Sequence, residues 1–254
     1  MPSMNKLRSF FAVIGEFVLF FQDLLTHFGK IGKRFPELLK QMKRIGFDSI
    51  LLISITSAFT GLVTSVQASY QTSGYIPQRL IGVLVSKSTM IELAPVLTGL
   101  VLAGKVGASI AAEIGTMKVS EQIDALETMA IEPIDYIYLP RIIAGAIMVP
   151  LLTIYANFIG IISAFVLSVT KYGINAHSFF INMRDYFLPS DLWGGLVKAF
   201  FFGIIITSVA CFAGSKASHG AEGVGKVATI TVVYSSILIL CMDFIVAALL
   251  FGNI

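Results

Sequence analysis

Two acidic residues lie inside apolar stretches of the chain, where a charge is costly. Glu92 falls within 81–102, and Asp243 is the one charged residue of 227–252. An ionised group in a bilayer costs about 2.5–3.5 kcal/mol, so it usually faces a cavity, a water path or a neighbouring helix. Pro95 interrupts the backbone hydrogen-bond ladder nearby and predicts a bend. We interpret Glu92 as a cavity-facing carboxylate, with a helix-packing hydrogen bond as the alternative, and Asp243 as closer to a structural role.

The other reactive residue types form no catalytic or metal-binding pattern in the sequence. Cys211 and Cys241 both lie in apolar runs, which indicates packing residues. His27, His177 and His219 are scattered, so no metal site is predicted. The chain also lacks a P-loop, a Gly-x-Ser-x-Gly and a His-Glu-x-x-His pattern. We therefore expect neither ATP binding by this chain nor enzymatic activity.

The amino-acid composition indicates whether the chain folds in water or in a lipid bilayer. Hydrophobic residues make up 56% of the 254-residue chain and charged residues 13%, whereas soluble domains have about 25% charged residues. Five apolar runs are long enough to cross a bilayer as helices: 50–78, 81–102, 142–170, 192–213 and 227–252. The runs are continuous, without the alternation of a barrel. The predicted fold is an all-α integral membrane protein with five transmembrane helices.

The N-terminal part, 1–48, differs from the rest because it is basic. Within it, 9–28 alternates apolar and polar residues at helical spacing, which predicts an amphipathic helix with a wide apolar face. Such a helix can lie in the membrane interface with its basic flanks on anionic headgroups. A sixth span is the alternative, disfavoured by Glu16 and Asp23. The predicted domains are this segment, 1–48, and a transmembrane permease domain, 49–254.

Lysine and arginine predict the orientation in the membrane. With a cytoplasmic N-terminus, the inner segments 1–48, 103–141 and 214–226 hold eight, three and two basic residues, thirteen together. The outer loops then hold only Arg79, Lys171 and Arg184. With five spans, the C-terminus lies on the outer, periplasmic side.

The inner loop between the second and third spans predicts a short amphipathic helix. Ser120 is its expected N-cap and Pro133 its stop. Three acidic residues share one face, and apolar residues recur on another: Ile123, Leu126 and Met129 or Ala130. The apolar face needs a receiving surface, either a partner protein, lipid or the chain's own bundle. The acidic face disfavours an anionic membrane and favours a protein groove.

Three sequence blocks resemble the MlaE-type permeases of ABC transporters associated with MCE proteins. The first comprises ELAP at 92–95, LAGKVG at 102–107 and AEIG at 112–115. The second is EQIDAL at 121–126, and the third begins with GAEGVG at 220–225 and reaches Asp243 and Phe244. The resemblance covers roughly residues 40–252 in order.

The resemblance implies partners on both sides of the membrane. It implies a homodimer bound to two cytoplasmic ABC ATPase subunits and to a periplasmic MCE-domain protein, in the inner membrane. ATP and Mg would be bound by the ATPase, and this chain would carry no cofactor. The segment 117–132 would be the coupling helix. Its expected ATPase contacts are Glu121, Gln122, Asp124, Leu126, Glu127 and Met129.

The resemblance also implies a lipid cavity at the outer end of the first span and along the second. The matching positions are Thr64, Gln71, Thr72, Tyr75, Ile91 and Glu92. This chain departs from the family pattern at Ile91, where a basic residue is expected, and at Gln71 and Thr72, where apolar residues are expected.

The expected function is that of a permease subunit moving phospholipid-like lipids between the inner membrane and the MCE protein, with no nucleic-acid partner. Two alternatives stay open. One is a membrane scaffold that anchors an MCE ring without transport of its own. The other is an intramembrane lipid-modifying enzyme with Glu92 and Asp243 as its acid/base pair.

Overall fold

The computed structural model describes residues 2–27, 34–72, 80–218 and 220–252, and every regular element in these ranges is helical. The α-helices in chain order are α1 Pro2–His27, α2 Phe35–Ile45, α3 Ile50–Thr72, α4 Ile81–Ser88, α5 Ala94–Leu102, α6 Ala108–Val119, α7 Gln122–Thr128, α8 Leu139–Tyr172, α9 Ala176–Asp185, α10 Pro189–Ser215 and α11 Gly220–Phe251. A 3₁₀ turn, Phe47–Ser49, joins α2 to α3, and π-helical turns occupy Thr89–Leu93, Ala103–Gly107 and Ile134–Tyr138.

Five stretches of helix are long and apolar enough to cross a membrane, which confirms the predicted number of spans. They are Phe35–Gln71, Ile81–Val119, Ile134–Tyr172, Pro189–Ser215 and Gly220–Leu250. The chain is therefore a multi-pass, all-α membrane protein. Helix α1 begins before the predicted amphipathic stretch and is not among these five. Its place in the membrane interface stays a prediction.

The chain divides into two compact units. One comprises Met1–Met42, Ala103–Gly145 and Ile204–Ser235, and is called here the first unit. The second unit comprises Lys43–Leu102, Ala146–Gly203 and Ser236–Ile254.

In the second unit, small and hydroxylic residues allow α3 and α8 to pack closely. A Cβ on Gly61 would collide with the backbone carbonyl of Gly160, so only glycine fits there. The hydroxyls of Ser65 and Ser168 are 2.9 Å apart, and Ser54 is hydrogen-bonded to Tyr155 at 2.7 Å. In a membrane, where no hydrophobic effect drives helices together, small residues at the interface allow two helix backbones to approach closely.

In the first unit, an ion pair and aromatic contacts join the elements. The Arg141 guanidinium lies 2.9 Å from a Glu113 carboxylate oxygen and donates to the Ile137 carbonyl at 2.6 Å. Helix α1 packs through Phe17 and Phe20, whose rings lie 5.3 and 5.8 Å from that of Phe212. An amphipathic helix thus buries part of its apolar face against the protein itself.

The short helix in the inner loop forms, but its ends differ from those predicted. Ser120 is not the N-cap, because its hydroxyl donates to the Thr116 carbonyl at 2.7 Å and Glu121, with φ +59°, takes that position. Pro133 does not stop the helix either. The turn closes earlier, at left-handed Ala130, where the Ile131 amide donates to the Leu126 carbonyl at 3.0 Å. This is the pattern of a Schellman C-cap.

Candidate functional site

A buried lysine brings the two intramembrane acids together in the second unit. Lys198 of α10 has no exposed side-chain surface, and its Nζ lies 2.5 Å from a Glu92 oxygen and 2.8 Å from Oδ1 of Asp243. The cluster therefore holds two carboxylates around one ammonium group. Breaking such a buried pair by removing one partner is strongly destabilising, because it leaves an uncompensated charge.

Local backbone structure places Glu92 in this cluster. The Ala94 amide donates to the Thr89 carbonyl, five residues back, so Glu92 lies in a π-helical turn. Pro95 has no amide to donate to the preceding turn, which is the reason a bend was expected here. The outcome is a widened turn, a feature frequent at functional sites. A Cβ on Gly195 would collide with the Met90 carbonyl, so α10 approaches this turn closely.

Sequence reasoning missed Lys198, although a signal was present. It is the one basic residue in the apolar run 192–213, near its start. Two intramembrane carboxylates need a counter-charge, and Lys198 was available to supply it. The Asp243 side chain is 14% exposed and forms an ion pair with Lys198 of α10, and its structural role stays a prediction. Glu92 is different, because its side chain is 46% exposed.

The exposed part of Glu92 lines a pocket of about 440 Å³ in the second unit. Thr64, Gln71 and Ile91, also expected around lipid, line the same pocket. The side chain of Thr72 and the whole of Tyr75 lie outside the described residues. Four of the six predicted positions are thus brought together around one space, and its occupant stays a prediction.

Further residues that the sequence did not single out line this pocket: Gln67, Ala68, Leu84, Lys87, Ser88 and Leu93. The Lys87 Nζ lies 3.2 Å from Oδ2 of Asp191, a residue buried in the first turn of α10. The pocket therefore has an ammonium group at one part of its wall and the Glu92 carboxylate at another.

In the first unit, the predicted coupling residues lie on or beside α7 and are mostly exposed. Glu121, Gln122, Asp124 and Glu127 are exposed, and Met129 is 69% exposed. Leu126 is half-buried. Asp124 is tied to its own chain by an ion pair with Lys118 at 2.7 Å.

The apolar face of α7 does not serve a partner protein alone, because one of its residues packs inside this chain. Ile123 is buried within the chain, whereas Met129 projects from it. The physical reason is that the helix has only seven residues, so its first apolar position reaches the neighbouring elements and its last does not. The surface available to a partner is acidic, with Met129 as its exposed apolar side chain.

Two expectations about cysteine and histidine need correction. Cys211 is buried, but Cys241 is exposed and is not an internal packing residue. His27 is not isolated, because the fold brings the end of α1 to the residues before α8. Ligand atoms of His27, Glu132 and Asp135 lie within 4.8 Å of one another, close enough to hold a metal ion. Exposed groups of this kind are also common without one.

Comparison with known proteins identifies the family. The family described as Permease MlaE matches residues 38–249. The chain is 39% identical over 238 residues to a probable ABC transporter permease protein of Rickettsia bellii, covering 94% of this chain and 92% of that one. It is 36% identical over 251 residues to the intermembrane phospholipid transport system permease protein MlaE of Haemophilus influenzae, covering 98% and 95%.

A more distant source gives a similar result. The protein Trigalactosyldiacylglycerol 1, chloroplastic, of Arabidopsis thaliana is 35% identical over 223 residues, covering 88% of this chain and 63% of that protein. The family match reaches all five membrane-length helices and includes the pocket residues. The chain therefore belongs to the MlaE permease family.

Proposed function

We propose that this chain is the permease subunit of an ABC transporter that moves phospholipid-like lipids between the inner membrane and a periplasmic MCE protein. The observation that carries the proposal is the pocket of about 440 Å³ between two membrane-length helices of the second unit, lined by both polar and apolar residues. A lipid likewise has a polar headgroup and apolar acyl chains. The family match and the function named for the Haemophilus relative support the same substrate class.

Energy for transport would come from a separate subunit. The sequence has no P-loop, so ATP and Mg would be bound by a cytoplasmic ABC ATPase. The acidic surface of α7 and its exposed Met129 support a protein partner there. ATP binding would close the ATPases, and α7 would transmit this motion to the membrane helices.

The assembly that we propose is a homodimer, with the N-terminus in the cytoplasm and the C-terminus in the periplasm. The thirteen-to-three distribution of basic residues supports this orientation. An MCE protein on the periplasmic side would exchange lipid with the permease. The alternative of a lipid-modifying enzyme gains no support from the site, because Lys198 engages both Glu92 and Asp243 and leaves neither as an unpaired acid or base.

ATP hydrolysis by the purified complex separates a transporter from a scaffold. The complex of this chain with its ATPase and MCE protein is titrated with glycerophospholipid in detergent, and lipids extracted from it are identified by mass spectrometry. We expect bound phospholipid and faster ATP hydrolysis as phospholipid is added. A complex that carries no lipid and hydrolyses ATP at one rate throughout the titration contradicts the proposal and favours the scaffold.

A further inference from the structure

The pocket in the second unit carries a cation whose role the proposed function does not explain. Lys87 lines the pocket, and its side chain is 35% exposed. An ammonium group has three N–H donors. The Lys87 Nζ forms an ion pair with Oδ2 of Asp191 at 3.2 Å, and that oxygen accepts no hydrogen bond within the described residues. The ammonium group therefore retains N–H donors for a bound molecule.

Neutral hydrogen-bond donors lie in the same pocket wall. Gln67 and Gln71 are one helical turn apart on α3, and Ser88 follows Lys87 directly. Among the described residues these three side chains have no hydrogen-bond partner. Together with Lys87 they offer an ammonium, two amides and a hydroxyl to one ligand, a donor set suited to phosphate oxygens.

The negative charge of Glu92 makes the part of the pocket near Lys87 the more favourable place for an anion. Glu92 is an acceptor, and Lys198 already engages it. A phosphate group placed beside Glu92 would be repelled, whereas beside Lys87 it gains a charge-assisted hydrogen bond. Leu84 and Ile91 provide apolar surface on either side of Lys87 along the same helical stretch. The pocket therefore has polarity suited to an amphiphile with an anionic head.

Asp191 can fix the position of the Lys87 ammonium group while leaving that group able to bind an anionic ligand. It is buried in the first turn of α10, where the positive end of the helix dipole favours a carboxylate. Its negative charge thus has support besides Lys87. The ion pair restricts the lysine side chain, which makes Asp191 a positioning residue.

We propose that Lys87 binds the phosphate of a glycerophospholipid headgroup, with Gln67 and Gln71 as additional donors and Asp191 positioning the ammonium group. This inference rests on the proposed function, and it names phosphate as the chemical feature by which the permease selects its lipid. Lys87 then acts as a specificity residue.

The test measures lipid preference in the assembled complex. The delipidated complex with its ATPase and MCE protein is incubated with equimolar phosphatidylglycerol and digalactosyldiacylglycerol of identical acyl chains in mixed micelles, and bound lipids are quantified by mass spectrometry. Lys87→Gln alone leaves Asp191 buried and unpaired, so the informative variant is the double Lys87→Gln/Asp191→Asn, which removes both charges. Lys87→Arg keeps the charge, and Lys171→Gln removes an exposed lysine outside the pocket.

We expect the double variant to assemble and to lose preference for the phospholipid by about tenfold, the effect of losing one charge-assisted hydrogen bond. Lys87→Arg and Lys171→Gln should retain the parent's preference. An unchanged preference in the double variant, with lipid still bound, overturns the role of Lys87 and leaves the proposed function intact. A parent complex that binds neither lipid instead counts against the proposed function itself.

Inorganic phosphate distinguishes a lipid headgroup from a free anion. Radiolabelled phosphate is added to the same complexes without lipid. Weak phosphate binding that phosphatidylglycerol displaces supports the headgroup site. Lys87-dependent phosphate binding that phosphatidylglycerol does not displace assigns the site to a free anion and contradicts the proposal.

Discussion

At the scale of single residues, two acids in the membrane-length helices of the second unit share one buried lysine as their partner. Lys198 has no exposed surface and lies between Glu92 and Asp243. Two acids around one base tolerate the loss of either acid better than the loss of the base. The partly exposed Glu92 can then change without leaving Lys198 alone, since Asp243 remains.

Replacing Lys198 with methionine should destabilise the protein by about 3–5 kcal/mol, because two carboxylates then lose their shared partner in a low-dielectric site. Glu92→Gln should destabilise the protein much less, and the proposed dimer should still assemble. Thermal unfolding of the purified protein in detergent measures both, with Lys171→Met as the exposed control. Equal melting temperatures for Lys198→Met and Lys171→Met would show that the cluster does not stabilise the fold.

The residues of the site were predictable to different degrees. Glu92 stood out because a lone acid in an apolar run has few explanations, and the pocket beside it agrees with four resemblance-based positions. Lys198 lies near the start of the apolar run 192–213, and Asp191 lies just before it. A lysine near the end of a span often extends to the headgroups, so its presence there does not by itself identify Lys198 as the partner of both acids. Their importance arises from packing between helices far apart in the chain, which periodicity along one helix does not report.

At the scale of elements, α7 presents an acidic surface that ends in an exposed methionine. The helix is bracketed by two left-handed non-glycine residues, Glu121 and Ala130. Such residues cost roughly 1–2 kcal/mol each. The surrounding contacts, including buried Ile123 and the Lys118–Asp124 ion pair, hold the helix in place.

Met129→Asp should release the ATPase while the permease still inserts, because the exposed side chain makes no large contribution to the fold and a charge is costly in an apolar groove. Co-purification of the ATPase with tagged permease measures this, and Met129→Leu serves as the apolar control. Leu126→Asp should have the same effect, but its half-buried position adds a folding cost. If Met129→Asp co-purifies as much ATPase as the parent permease does, Met129 is not a docking residue.

Close approach of α3 and α8 predicts a strict size limit at Gly61. An alanine there would press its Cβ against the Gly160 carbonyl, and such overpacking typically costs about 1–3 kcal/mol. Gly225→Ala is the matched control, because a Cβ at that position has nothing within 4 Å. We expect a lower melting temperature for Gly61→Ala alone. Similar melting temperatures for the two variants would mean that the helices separate at little cost.

Helix number followed from the sequence, but the fine structure of the helices did not. Continuous apolar runs predict spans because lipid requires internally satisfied backbone hydrogen bonds. The π turn at Thr89–Leu93 lies against α10, where Gly195 approaches the Met90 carbonyl, and α7 ends at a cap on Ala130. Apolar periodicity along one helix reports neither of these features.

At the scale of the whole molecule, the distribution of basic residues predicts a periplasmic C-terminus. A phosphatase that is active only outside the cytoplasm, fused after Ile254, should be active, because five spans follow a cytoplasmic N-terminus. A cytoplasmic reporter fused at the same place should be inactive. The reverse pattern of the two reporters would overturn the orientation and, with it, the cytoplasmic position of α7.

The proposed permease moves phospholipid between the inner membrane and the MCE protein with energy from ATP hydrolysis. The direct measurement uses the complex with its ATPase in vesicles containing phosphatidylglycerol with a fluorescent acyl chain, and follows exchange of that lipid with the MCE protein in both directions. We predict transfer in one direction that requires ATP hydrolysis and is lost in Glu92→Trp, which fills the pocket. Transfer that is equal with and without ATP, or unchanged in Glu92→Trp, would contradict ATP-driven lipid transport through this pocket.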